Sequence, residues 1–207
     1  SQGGGASASA AELAPEYAPD LDLVGAYAGA VPADLQKVAE YIDGGLYTGF
    51  ELYAVNGIAE AYDIDLGPYT TDEGMRRVRA TRDECVGETV AGSAFEDTGD
   101  YTTSGKKLSE LTAEEPFASI VAEQLIGDGR APDVPVLVGQ SVLDDVVPYA
   151  QARALAVRWC DQGTKVRFER TYVPTHVGAA AGLFPSAFAY LDARFAGGPA
   201  RSSCGRL

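Results

Sequence analysis

The last third of the chain alternates between strand and helix patterns, and this alternation restricts the fold more than any other feature of the sequence. Residues 134–139 form a short, continuous apolar run that is typical of a buried strand. Pro148 stands at the favoured first position of a helix that Gly163 ends. Val166, Phe168 and Tyr172 stand at even spacing and predict a half-exposed strand, and Pro185 opens a final helix. Strands and helices that alternate with short connections predict βαβ units and a parallel sheet.

One further strand is predicted near the beginning of the chain, where the apolar run 21–28 ends before Pro32. The stretch from about 33 to 130 contains no convincing strand and shows helical patterns instead. A helical block between the strands of a sheet is typical of an inserted cap. We therefore expect an α/β core formed by residues 1–32 and 131–207, with a helical lid inserted at 33–130.

Several short helices are predicted inside this block, each with apolar residues on one face. Asp34 can cap the first, and the third begins at Thr70, where Glu73 completes the pattern of a capping box. The polar stretch 97–115 is expected to be a loop with at most a short helical turn. The helical patterns cover residues 34–42, 50–62, 70–85 and 117–126. Apolar helices over the edge of a sheet could enclose an apolar substrate.

Ser1 is followed at once by glycines and by an alanine-rich run that predicts a helix. Small residues behind a serine match the second half of a nucleophile elbow, G-x-S-x-G, with Gly3 as its closing glycine. The elbow needs small residues because the turn is tight and its helix packs close to the sheet. The amide of Gln2 would then be one donor of an oxyanion hole. The alternative is a frayed glycine-rich and serine-rich terminus without a role.

Two other loops follow predicted strands and carry the residue types that activate a serine. Asp144 and Asp145 come after the strand that ends at Gly139, and His176 comes after the strand that ends near Val173. Working residues of open α/β sheets gather beyond the carboxyl ends of the strands, so we expect these side chains to meet. His176 is the only histidine in the chain, so no other residue can supply an imidazole base. The acid is Asp144 or Asp145, and the other carboxylate would favour the start of the next helix.

An imidazole and a carboxylate can together activate a serine as a nucleophile. A serine hydroxyl is weak until a base removes its proton, imidazole does so near neutral pH, and a carboxylate fixes the imidazole tautomer. The order serine, acid, histidine along a chain is that of the α/β-hydrolases. Ser141 is a rival serine, but no small-residue turn into a helix surrounds it, so Ser1 is the preferred nucleophile.

The charge of the chain argues against one class of partner. The net charge is −14, from 16 basic and 30 acidic residues, and such a surface repels the phosphates of nucleic acid. No apolar run reaches the length of a transmembrane segment. With one histidine and no C-x-x-C, a zinc cluster is not expected, and the chemistry requires no metal or cofactor. Cys85, Cys160 and Cys204 form either one disulfide with a free thiol, or three thiols in a reducing compartment.

Nearly the whole chain resembles the secretory lipases, which are α/β-hydrolases with a helical lid found in fungi and actinobacteria. The first four residues, SQGG, are similar to that family's elbow, G-Y-S-Q-G-G. Residues 144–149, DDVVPY, resemble its acid loop, D-E-V-V-P-Y, and this match places the catalytic acid at Asp144. Residues 159–163 are similar to its W-C-x-x-G, and His176 falls where its histidine does. The family usually has a glycine shortly before that histidine, where this chain has Pro174 and Thr175.

The resemblance implies hydrolysis of carboxylic esters, including triacylglycerols, by a secreted enzyme that meets lipid or small ester substrates, with a lipid–water interface as one place of action. It also implies that Cys160 forms a disulfide with Cys85 in the lid. Finally, it implies strands and a second oxyanion donor upstream of Ser1. The chain is therefore interpreted as the C-terminal part of a longer hydrolase, with an unpaired sheet edge of its own.

The leading hypothesis is a serine ester hydrolase in which Ser1 attacks, His176 moves the proton, Asp144 orients the imidazole and Gln2 helps to hold the oxyanion. A serine peptidase on the same fold is an alternative, because its acid and histidine loops can look alike. An amidohydrolase that uses the α-amino group of Ser1 as base is another, although such a nucleophile usually starts a strand. The last alternative is a non-catalytic binding domain on the same scaffold.

Overall fold

A computed structural model describes all residues, 1–207, and the chain divides into two compact units. The first unit contains residues 1–35 and 124–207, and the second contains residues 36–123. The strands are β1 (Ala26–Gly29), β2 (Val136–Ser141) and β3 (Val166–Thr171). The helices are α1 (Gln2–Tyr17), α2 (Leu35–Ile42), α3 (Gly49–Ala61), α4 (Asp72–Ala80), α5 (Val86–Ser93), α6 (Leu108–Leu111), α7 (Phe117–Glu123), α8 (Tyr149–Asp161) and α9 (His176–Phe195). No helix is long and apolar enough to cross a membrane.

The first unit is built on a parallel sheet in which the three strands follow one another in the order β1, β2, β3. All six residues of β2 are buried, because this strand has a neighbour on each side and helices packed against it. β1 pairs only with β2, so its other edge carries no strand from these 207 residues. The alternation of strand and helix in the sequence therefore predicted the sheet correctly.

α1 packs closely on β1 because its inner residues are small. Ala8 and Ala11 are buried in the same cluster as Ala28 of β1. A Cβ atom added at Gly4 would overlap the carbonyl oxygen of Gly29, so only glycine fits at this crossing. The small residues behind Ser1 therefore bring the first turn of α1 against the carboxyl end of β1.

α8 covers the sheet through the fully buried side chains of Leu155 and Trp159. Trp159 donates a hydrogen bond from Nε1 to Glu12 of α1 at 2.7 Å, which satisfies the polar edge of a buried indole. The two helices are therefore joined by a polar contact in addition to the apolar cluster.

The predicted disulfide between Cys85 and Cys160 is wrong. Cys160 is bonded to Cys204, with 5.5 Å between their Cα atoms, and Cys85 is an exposed free thiol. The C-terminal segment runs beside β3, where the amide of Ser203 donates to the carbonyl of Val166, and this brings Cys204 to the end of α8. The spacing of the cysteines along the sequence does not show which two of them come close enough in the fold to form a disulfide.

α9 begins earlier than the sequence indicated. The expected start was Pro185, whereas the helix starts at His176 and contains Pro185 in its interior. Proline removes one backbone hydrogen bond, to the carbonyl of Ala181, and both residues are exposed, so water can take the place of the missing donor. Leu183 and Ala187 are buried on the inner face, and Phe184, Phe188 and Phe195 remain exposed.

The second unit is helical, as the sequence predicted for this stretch. A single bridge between Thr70 and Thr102 is the only β pairing in the unit. Leu52, Val78 and Tyr101 form the centre of its core with Leu108. A pocket with an almost wholly apolar lining lies in the same unit; its walls include Val55, Ile58, Leu66, Phe117 and Ile120.

Two details of this unit differ from the sequence interpretation. Thr71, not Thr70, caps α4 and accepts a hydrogen bond from the amide of Gly74, because the hydroxyl of Thr70 donates to the carbonyl of Leu66. α5 was not predicted, since its glycines weaken the helical pattern. Within the predicted polar loop 97–115 there is one turn of 3-10 helix and the short helix α6.

Candidate active site

The acid loop leaves the carboxyl end of β2 and folds around the side chain of Asp144. Oδ1 of Asp144 accepts hydrogen bonds from the amides of Val146 and Val147, at 2.9 and 2.8 Å. An aspartate that binds the backbone two and three residues ahead closes a tight turn, and Pro148 then occupies the N-cap position of α8. Asp144 is consequently buried and held at a defined position beyond the strand.

His176 is the first residue of α9, and its imidazole faces Asp144. Nδ1 of His176 lies 3.0 Å from Oδ1 and 2.9 Å from Oδ2 of Asp144. Asp145 meets the same residue at a different atom, because its Oδ1 accepts the backbone N–H of His176 at 2.8 Å. The structure therefore brings both carboxylates to His176: that of Asp144 to the ring, and that of Asp145 to the backbone amide.

The environment of Asp144 keeps its carboxylate ionised. Burial by itself would raise the pKa of Asp144, but the hydrogen bonds from His176 and from the amides of Val147 and Val146 outweigh burial, and the pKa is lowered. An ionised carboxylate at Nδ1 requires a proton on that nitrogen, so that Nε2 of a neutral ring is the acceptor.

Thr175 places His176 through an unusual backbone conformation. Its φ angle is +62°, in a region that a β-branched residue rarely adopts. The hydroxyl of Thr175 accepts a hydrogen bond from the amide of Gly178 at 3.1 Å and so caps α9. Where the family usually has a glycine, this chain therefore has a threonine that adopts a glycine-like backbone conformation and caps α9.

Ser1 lies on the other side of the imidazole from Asp144. The α-amino nitrogen of Ser1 is 3.0 Å from Nε2 of His176, so the ring stands between the two residues. Ser1 occupies the N-cap of α1, but its side chain makes no capping hydrogen bond. Burial lowers the pKa of the Ser1 α-amino group, and the charge of Asp144 acts in the opposite direction.

The amide of Gln2 belongs to the first turn of α1. The amide of Gly5 is the one that donates to the carbonyl of Ser1, at 2.8 Å. The N–H groups before Gly5 have no carbonyl partner inside the helix and point out of its N-terminus. This end of a helix attracts negative charge, which is the property that an oxyanion hole requires.

Ser141, the rival serine, has a structural position. It is buried, donates a hydrogen bond to the carbonyl of Val173 at 2.8 Å, and accepts one from the amide of Leu143 at 3.0 Å. Both capacities of its hydroxyl are therefore occupied in joining the acid loop to the histidine loop.

Gln140 is a residue of the site that the sequence interpretation missed. It is fully buried in β2, and its Nε2 lies 3.0 Å from Oδ2 of Asp144. The signal was present in the sequence, because a glutamine that directly continues a buried apolar strand needs polar partners.

The family model described as secretory lipase matches residues 1–203. A secreted triacylglycerol lipase of Malassezia restricta is 29% identical over 92% of this chain and 42% of its own length. A probable inactive lipase of Mycobacterium tuberculosis is 29% identical over 96% of this chain and 45% of its own length. The chain spans less than half the length of the curated relatives that it matches.

Among solved structures, Candida antarctica lipase A in its closed state superposes with a TM-score of 0.88 and 22% identity, over 100% of this chain and 50% of that chain. At this level of identity the likeness shows the fold alone. That fold is the α/β-hydrolase fold, as the sequence predicted.

Proposed function

The chain belongs to the secretory lipase family, and on that premise we propose that it carries the catalytic triad of a carboxylic-ester hydrolase, formed by Ser1, Asp144 and His176. One observation carries the proposal: the only imidazole of the chain lies with Nδ1 against a buried carboxylate and with Nε2 against Ser1, 3.0 Å from its α-amino nitrogen. The hydroxyl belongs to the same residue, and when it turns to Nε2 it can lose its proton to the ring.

The proposed reaction has two steps. Oγ of Ser1 attacks the ester carbonyl while Nε2 of His176 takes the hydroxyl proton, and the alcohol leaves with that proton to give an acyl-enzyme. Water then attacks the acyl-enzyme by the same route and releases the acid. Asp144 holds the imidazole and stabilises its charged form, and the amide of Gln2 binds the oxyanion in both steps.

The substrate that we propose is a lipid ester such as a triacylglycerol, or a smaller carboxylic ester. The family and the Malassezia relative, a secreted triacylglycerol lipase, support both this substrate class and an extracellular location. We further propose that the helical unit is the lid expected for the family, which the apolar pocket in that unit suits.

A second candidate is a non-catalytic member of the family. One observation favours it, namely that a relative matching 96% of this chain is described as a probable inactive lipase. The two candidates differ in one testable property, which is turnover that depends on His176.

The test is hydrolysis of p-nitrophenyl butyrate and palmitate by the natural full-length protein and by its Ser1→Ala and His176→Ala variants. We expect kcat to fall by about six orders of magnitude in either variant, because members of a triad fail together. Ser9→Ala, on the same helix, is the matched control and should keep wild-type activity.

Each other result leads to a different conclusion. Undiminished activity in His176→Ala would remove the triad, and hydrolysis of aminoacyl anilides in place of esters would indicate a peptidase. A wild-type protein that hydrolyses neither substrate would support the non-catalytic candidate.

A further inference from the structure

We propose that Gln140 is a positioning residue that holds the carboxylate of Asp144 in the plane in which it meets His176. This inference rests on the proposed ester-hydrolase function. Gln140 is the second-last residue of the central strand β2, four residues before Asp144, and its side chain has no exposed surface.

The amide of Gln140 can take only one orientation. Its Nε2 lies 3.0 Å from Oδ2 of Asp144 and 3.1 Å from the carbonyl oxygen of Val147. Both of these partners are acceptors, so the NH₂ group and not the amide oxygen must face them. The two protons of one NH₂ group thus connect the carboxylate to the backbone of its own loop.

This contact adds a donor at the second oxygen of the carboxylate. Oδ1 of Asp144 is held by the amides of Val146 and Val147, and Gln140 supplies a donor at Oδ2 in addition to the imidazole. With a donor on each oxygen the carboxylate cannot rotate about its Cβ–Cγ bond without losing a hydrogen bond. Nδ1 of His176 approaches this fixed group within 3.0 Å of both oxygens.

The unpaired amide oxygen of Gln140 indicates that this residue has a function beyond packing. Its Oε1 is buried and has no hydrogen-bond partner, which destabilises the folded chain. An aliphatic residue of similar size would avoid this cost, and the neighbouring β2 residues Val136, Leu137 and Val138 are aliphatic. The donor of Gln140 toward Asp144 is the feature that an aliphatic side chain could not supply.

The test compares Gln140→Met with Gln151→Met in the natural full-length protein. Gln151 is a matched control, because it too is a buried glutamine with one unpaired polar atom, Nε2, and its Oε1 accepts a hydrogen bond from the amide of Asp34 at 2.9 Å. We expect Gln140→Met to lower kcat on p-nitrophenyl butyrate about 10-fold with KM unchanged, as for other partners that orient a catalytic group. Gln151→Met should leave kcat unchanged.

The pH profile separates positioning from a merely structural role. Without the Gln140 donor the ionised form of Asp144 is less favoured, so the acidic limb of kcat/KM should move to higher pH in Gln140→Met. Gln140→Glu is the second variant: it places a second carboxyl group against Asp144, and its activity relative to wild type should recover as the pH falls, when a protonated carboxyl can donate again.

A spectroscopic readout does not depend on turnover. The ring ¹⁵N signals of His176 are assigned by their loss in His176→Ala, and they report which nitrogen carries the proton. We expect Gln140→Met to reduce the population protonated at Nδ1, whereas Gln151→Met should not. Wild-type kcat, pH profile and tautomer in Gln140→Met would overturn the inference, while a wild-type protein without esterase activity but with a Gln140-dependent tautomer would overturn the proposed function alone.

Discussion

Two adjacent carboxylates in this chain bind the same residue and have different consequences for it. Asp144 contacts the imidazole of His176 through Nδ1, while Asp145 binds the backbone amide of His176 at 2.8 Å. The first contact sets the proton on the ring, and the second holds the start of α9. Of these two neighbours in the acid loop, Asp144 therefore orients the ring of His176 and Asp145 orients its backbone.

Asparagine substitution distinguishes these two contacts. We expect Asp144→Asn to lower kcat by about four orders of magnitude, because a neutral amide permits the wrong imidazole tautomer. Asp145→Asn should stay within about 10-fold of wild type, since the oxygen of asparagine still accepts the N–H of His176. Esterase kinetics on both variants provide the measurement. The reverse ranking would make Asp145 the acid.

The conformation of Thr175 leads to a prediction about stability. A positive φ at a β-branched residue costs about 1–3 kcal/mol, and the cap that its hydroxyl provides is worth about 1 kcal/mol. We expect Thr175→Gly to raise the free energy of unfolding by about 1 kcal/mol, because glycine relieves the strain and is tolerated at an N-cap. Thr175→Ala should lower it by about 1 kcal/mol, since it loses the cap and keeps the strain. Urea denaturation tests both variants, and equal losses in the two would contradict the strain at this position.

At the scale of single elements, α3 contains a buried acid. Both carboxyl oxygens of Glu51 are buried without a hydrogen-bond partner. Burial, and after it the charge of Asp43, raises the pKa of Glu51 to about 9, with Lys107 acting in the opposite direction. Glu51 is therefore protonated at neutral pH in the folded chain.

The pH dependence follows from the direction of this shift. The folded chain keeps a proton on Glu51 that the unfolded chain loses above about pH 4.5, so stability should fall as the pH rises from there through about 9. Glu51→Gln should remove this part of the dependence and melt at a higher temperature than wild type at pH 8. Thermal melts between pH 5 and 9 test it, with exposed Glu60→Gln on the same helix as control. Parallel melting curves for wild type and Glu51→Gln across this range would disprove the prediction.

The elements also show where local patterns fail. The start of α9 was misplaced because Pro185 is a strong helix-start signal, while the actual start depends on the cap at Thr175 and on the amide bound by Asp145. The missed helix α5 is similar: Thr89 of that helix accepts a hydrogen bond from Tyr53 of α3 at 2.7 Å, a contact that propensity does not include.

At the scale of the whole molecule, one covalent bond ties the end of the chain to the first unit. The disulfide joins Cys160 of α8 to Cys204 across a sequence separation of 44 residues. Closing a loop of this size restricts the unfolded chain and contributes about 4 kcal/mol in the chain-entropy model.

Serine substitutions at the three cysteines should therefore differ. Cys160→Ser and Cys204→Ser should each lower the free energy of unfolding by about 2–4 kcal/mol, and the double variant should lose no more than one of them, because they break the same bond. Cys85→Ser should change stability by less than about 0.5 kcal/mol, since this thiol is exposed and unpaired. Denaturation under non-reducing conditions is the measurement. A large loss in Cys85→Ser would restore the pairing that the resemblance implied.

The sequence by itself determined the parallel α/β core, the helical block and the family, and it named Ser1, Asp144 and His176 as candidates. Each of these features was recognised from a local pattern, either the period of apolar residues or a short motif of neighbouring residues. Such patterns can be seen in the sequence before the fold is known. Tertiary structure decided the rest: the partner of Cys160, the separate contacts of Asp144 and Asp145, and the approach of Gln140. Each of these depends on which segments pack side by side in the folded chain, and the separation of two residues along the sequence does not determine that.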